Sequence, residues 1–118
     1  MKILILGDSN VGKTTWVHSL IGVQTEKKNT QGCDVYPYRH KGKSLEFWDT
    51  AGNPNLGGLR DCYFIGATCA FIVYKDKSTV DKYKQEILSV LGKKIPFVAF
   101  NISEIEDPQA PLRRLFKN

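Results

Sequence analysis

Between residues 7 and 14 the chain reads Gly7-Asp8-Ser9-Asn10-Val11-Gly12-Lys13-Thr14, two glycines separated by four residues and followed at once by a lysine and a hydroxyl. Residues of these types at this spacing bind phosphate. The glycines let the backbone approach phosphate oxygens, successive amides and the end of a following helix supply positive potential, and an ammonium group reaches the outer phosphates. Lys13 is that ammonium group, and the Thr14 hydroxyl is placed to be offered to Mg²⁺. Gly7, Asp8, Ser9, Asn10, Val11, Gly12, Lys13, Thr14 and the adjoining Thr15 are therefore candidate nucleotide-binding residues. A second candidate is Asp49, which closes the run Ser44 to Asp49 ahead of Thr50-Ala51-Gly52. A carboxylate emerging at the C-terminal end of a strand sits where doubly wound sheets gather their ligands, and it suits the metal side of such a site.

The phosphate pattern works only between a strand and a helix, and the flanking sequence supplies both. Residues 2–6 are an apolar run of the kind found in strands buried on both faces, so a parallel sheet is the natural setting. After the loop, Trp16, Val17, Leu20 and Ile21 recur at helical spacing until Gly22. Residues 23–34 are polar and irregular and read as a loop. Cys33 to His40 and Ser44 to Asp49 read as strands joined through Lys41-Gly42-Lys43, a hairpin. Thr50 to Gly58 is a second glycine-rich loop. Ala67 to Tyr74 reads as a fourth strand. Val80, Tyr83, Lys84, Ile87, Leu88 and Leu91 mark a helix opened by Ser78 and closed by Gly92, and Ile95 to Phe100 reads as a fifth strand. Residues 102–118 are a polar tail.

Composition narrows the class further. At 118 residues the chain can bury roughly two-thirds of its unfolded surface, enough for one core, and this excludes a two-domain enzyme. Hydrophobic residues make up 42%, too many for a disordered chain, and no apolar run approaches a membrane span. Cys33, Cys62 and Cys69 lack C-x-x-C spacing and are expected to be reduced and structural. The net charge of +5 is dispersed, with no basic block to indicate direct nucleic-acid binding. Met1-Lys2 and the short apolar run after it do not form a secretory signal, so the cytoplasm or the nucleus is the expected location.

Residues 7–14 together with Trp48-Asp49-Thr50-Ala51-Gly52 resemble a Ras-superfamily small GTPase. The Ran branch is the most similar. Thr30-Gln31-Gly32-Cys33-Asp34-Val35-Tyr36-Pro37 resembles its first switch, and Gly57-Gly58-Leu59-Arg60-Asp61-Cys62-Tyr63-Phe64-Ile65 resembles its second switch. The resemblance covers residues 2 to about 100. It implies an α/β P-loop fold, a mostly parallel sheet of about five strands flanked by helices and lacking the family's last strand and helix. Residues 1–101 would form the GTPase core and 102–118 a short tail. It implies GTP or GDP as ligand and Mg²⁺ as cofactor, with Lys13 on the outer phosphates, Thr14 and Thr30 on the metal, Asp49 supporting the metal through water, and Gly52 sensing the γ-phosphate. It also implies transport receptors or an exchange factor as partners. The C-terminus has no prenylation cysteine, so no membrane anchor is implied. Trp16 and Trp48 are expected to pack, His18 and His40 to lie on the surface, and Arg39, His40, Lys41 and Lys43 to form a solvated hairpin.

Four departures from the family pattern bear on function. The water-orienting glutamine after the DTAG is Asn53, one methylene shorter, and water positioning carries much of a roughly 10⁵-fold stimulated acceleration. Weak hydrolysis is expected, with Asn53 and Lys13 as the catalytic candidates. The guanine-reading N-K-x-D is, after an apparent one-residue deletion, Asn101-Ile102-Ser103-Glu104. A charged hydrogen bond is worth about 1.5–3 kcal/mol, so a displaced Glu104 would forfeit one to two decades of base discrimination. The first switch is about two residues shorter than Ran's. Finally, the fifth strand would be a sheet edge, leaving two alternatives: cover by the tail through Leu112, Leu115 and Phe116, or self-association.

Overall fold

The computed structural model of the chain describes residues 1–9, 11–22, 33–50 and 58–117. Its elements are β1 (Lys2–Leu6), α1 (Lys13–Ile21), β2 (Cys33–His40), β3 (Lys43–Thr50), α2 (Gly58–Phe64), β4 (Cys69–Val73), α3 (Val80–Leu91), β5 (Phe97–Phe100) and α4 (Ala110–Leu115). The strands form one five-stranded sheet in the order β2-β3-β1-β4-β5. β1 runs parallel to both β3 and β4, and β4 parallel to β5, while β2 is antiparallel to β3. The mostly parallel, five-stranded α/β architecture expected from the sequence is present.

Side-chain alternation along the central strands divides the interior in two. Ile3 and Ile5 of β1 join Leu45 and Phe47 of β3 and Phe71 and Val73 of β4 on the face covered by α1. Leu4 and Leu6 join Ala70 and Ile72 on the opposite face, against Phe64, Tyr83 and Ile87 from α2 and α3. Both faces of β1 and β4 are buried, which is why these strands read as continuous apolar runs. Trp16 is the hub of the first cluster, with its ring 5.0 Å from Phe71, 4.9 Å from Phe100 and 6.1 Å from Phe47.

Element boundaries differ from the sequence reading at several points. The fourth strand is shorter, because Ala67 and Thr68 belong to the approach to the sheet. The 3-10 turn Lys77–Thr79 precedes α3, and the residue capping it is Asp76, whose carboxylate accepts the Ser78 amide. The buried stripe of α3 is centred on Tyr83 and Ile87, with Leu88 left exposed. The hairpin turn is Lys41-Gly42 alone, both residues at positive φ, and β3 begins at Lys43.

The tail is a helix packed on the α1 face. Leu112 is fully buried there, and Leu115 and Phe116 pack against the same cluster. The Trp16 indole N–H donates to the Pro108 carbonyl at 2.9 Å, and the Gln109 amide donates to the Tyr38 hydroxyl at 2.8 Å. Arg113 and Arg114 close onto Glu106 and Asp107, fixing the turn into α4. The tail therefore covers a sheet face, and among the described residues no strand pairs with the outer edge of β5.

Candidate functional site

The loop between β1 and α1 is shaped by two glycines. Gly7 has φ +152°, and a Cβ there would lie 2.3 Å from the Val73 carbonyl oxygen, so the first bend of the loop presses on the end of β4. Gly12 has φ +92°, and a Cβ there would lie 2.6 Å from Ile102 Cδ1. At Gly7 the obstacle is backbone and a side chain would force the loop away from β4, whereas at Gly12 it is a side-chain tip and the positive φ is what favours glycine. The loop thus threads between the ends of β4 and β5, at the C-terminal edge of the parallel strands, where α/β sheets hold ligands.

Lys13 opens α1 and folds back over this loop. Its ammonium group donates to the Gly7 carbonyl at 2.7 Å and to the Asp8 carbonyl at 2.9 Å, and the residue is buried. A cation held by two carbonyls at the mouth of a glycine loop is oriented for a polyanion before one arrives. Asp8 turns its own carboxylate the other way. It accepts from the Tyr83 hydroxyl and from Lys82 at 3.2 Å, and the Tyr83 bond above all holds its carboxyl below the usual carboxylate range.

One residue past Lys13, the Thr14 hydroxyl donates to Asp49 Oδ2 at 2.5 Å. Asp49 lies on β3 with the same side-chain alternation as Leu45 and Phe47, which points it toward α1. It is fully buried, and burial pushes its carboxyl up, against the opposing pull of Thr14 and Lys13. Its other oxygen, Oδ1, has no hydrogen-bond partner among the described residues. A buried carboxylate with one satisfied and one orphaned oxygen beside a threonine hydroxyl is costly unless a cation or its water completes it. These donors fit Mg²⁺, which prefers hard oxygen ligands and commonly takes one or two from protein, the rest from phosphate and water.

Around the mouth, Val11 is buried, Ser9 and Thr15 are exposed, and Asn101 directly follows β5. Asn101 Oδ1 accepts from both the Ser103 amide at 3.0 Å and the Ser103 hydroxyl at 2.8 Å, capping the 3-10 turn Ile102–Glu104. Ile102 lies against Gly12, and Glu104 is exposed. The structure thus brings Gly7, Asp8, Gly12, Lys13, Thr14, Asp49 and Ile102 together. Asn10, Thr30, Gly52 and Asn53 lie outside the described residues.

Both histidines, expected on the surface, are buried. His18 Nε2 is 3.0 Å from the Tyr36 hydroxyl, and His40 turns inward to stack on Phe116. Trp16 and Trp48 do pack, and Lys2 lies 3.7 Å above the Trp48 ring. The three cysteines form no disulfide. Among the described residues no helix is long and apolar enough to cross a membrane. Sequence reasoning missed the Tyr83–Asp8 contact, since helical spacing marks Tyr83 as a core residue and does not disclose where its hydroxyl points. A family model described as Ras of Complex, Roc, domain of DAPkinase matches residues 2–103.

Proposed function

Because the chain belongs to the Roc family of Ras-like GTPase domains, we propose that it is a Mg²⁺-assisted GTP/GDP-binding switch of the Ran type with slow hydrolysis. The observation that carries this reading is the pairing of Lys13, held over the glycine loop, with Thr14 on the half-satisfied carboxylate of Asp49. Lys13 would exchange its carbonyl partners for phosphate oxygens. Thr14 and Asp49, with Thr30, would hold Mg²⁺, which supplies charge neutralisation at the β- and γ-phosphates. Hydrolysis would use an in-line water with no protein nucleophile, and Asn53 is short for orienting that water. The loops around the γ-phosphate would then recruit transport receptors or an exchange factor.

A second reading is a non-cycling Ran mimic that holds nucleotide and occupies the same partners. The tetrad Asn101-Ile102-Ser103-Glu104 favours it, because Ile102 contributes only apolar contact to Gly12 and Glu104 stands exposed. One experiment separates the readings: chromatographic identification of the nucleotide that co-purifies with the protein, followed by its hydrolysis over hours, with Lys13→Ala as control. Retained GTP supports the mimic, GDP supports the slow switch, and absence of nucleotide rejects both. Brisk single-turnover cleavage rejects slow hydrolysis, and equal competition by ATP rejects guanine preference.

A further inference from the structure

We propose that Tyr83 is a positioning residue of the phosphate site, acting through Asp8. This inference rests on the nucleotide-binding reading above. The Asp8 main chain and side chain face two different tasks. Its carbonyl helps hold the Lys13 ammonium group at 2.9 Å, while its carboxylate belongs to a residue of the same glycine loop that a polyphosphate would approach. An anion there repels phosphate unless it is turned aside and its charge is met by a partner. Both conditions are fulfilled from α3: the Tyr83 hydroxyl and the Lys82 ammonium group converge on the same oxygen, Oδ1.

Tyr83 is suited to this work because it cannot swing. Its ring is 2% exposed and packs among Phe64, Ile72 and Ile87, so the hydroxyl is delivered at a fixed point. The helix carrying it runs on from the 3-10 turn Lys77–Thr79, which Asp76 caps just beyond β4. β4 also supplies the Val73 carbonyl against which Gly7 is pressed. A single rigid unit of β4 and α3 therefore sets both the backbone bend at Gly7 and the direction of the Asp8 carboxylate. Lys82 is the adjustable member, more than half exposed at its side chain. By this arrangement the tyrosine keeps the carboxylate off the phosphate path and keeps the carbonyl under Lys13.

The test is the dissociation rate of a fluorescent GDP from the Mg²⁺-loaded protein, measured for wild type, Tyr83→Phe, Asp8→Asn and the double variant. Tyr83→Phe keeps the ring and is expected to accelerate release about tenfold, the scale of one hydrogen bond to a charged group. With Asp8→Asn there is no charge to redirect, so Tyr83→Phe in that background should add less than twofold. A merely structural role for Tyr83 predicts the same acceleration in both backgrounds, and that result, or no acceleration in either, overturns the proposal. Should Tyr83→Phe fail to fold, Lys82→Ala, which leaves the core untouched, carries the same comparison with an expected two- to threefold effect. Failure of wild type to bind GDP would sink the nucleotide-binding reading itself, whereas binding that Lys13→Ala abolishes and Tyr83→Phe leaves unchanged sinks only this inference.

Discussion

Asp49 shows what the site gives up to be ready for a cation. Its carboxyl is raised by burial, so the folded protein holds that proton more tightly than the unfolded chain does. The penalty on folding accumulates as pH rises from the ordinary carboxylate range to the elevated folded value and is constant above it. Asp49→Asn removes the penalty and retains an oxygen to accept from Thr14. We expect the nucleotide-free variant to be more stable than wild type by about 1 kcal/mol at neutral pH, with no difference at low pH. Its Mg²⁺-dependent nucleotide retention should fall at the same time. Thermal denaturation across pH, paired with nucleotide release in Mg²⁺ and in chelator, checks both halves. A carboxylate that is bad for the empty fold and good for the loaded one is poised for function.

At the level of elements, the β2–β3 hairpin and α4 carry separable loads. Lys41 adopts φ +50° in a two-residue turn, a conformation that suits glycine or asparagine better than lysine. Lys41→Gly is expected to stabilise the protein by about 0.5–1 kcal/mol in urea denaturation without altering nucleotide affinity. Leu112 of α4 is fully buried in the cluster that holds Trp16, so Leu112→Ala should cost about 2–5 kcal/mol, against under about 0.5 kcal/mol for the exposed Leu88→Ala. These elements also show what the sequence made legible. β1, α1 and α3 were readable because a continuous apolar run, a helical stripe and glycine stops all agreed. The inward turn of His40 was not, since its burial depends on Phe116, 76 residues later. Likewise Lys13 and Thr14 were legible from spacing, whereas the orphaned oxygen of Asp49 and the Tyr83 tether depend on how β3 and α3 dock.

For the molecule as a whole, the two core faces meet at the phosphate loop, and a ligand there should bind the folded state alone. GDP with Mg²⁺ at a hundred times its dissociation constant is expected to add about 2.7 kcal/mol to stability, read as a rise in thermal midpoint that Lys13→Ala eliminates. Trp16 is bonded to the Pro108 carbonyl across 92 positions and Tyr38 to Gln109 across 71, so the aromatic hub receives its cover from residues remote from it in the chain. Contacts between such distant positions are slow to form, because the connecting chain must first be ordered. In refolding from denaturant, then, the Trp16 face is expected to stay uncovered until α4 docks, and that docking, more than local helix or strand formation, sets the pace at which this protein becomes native.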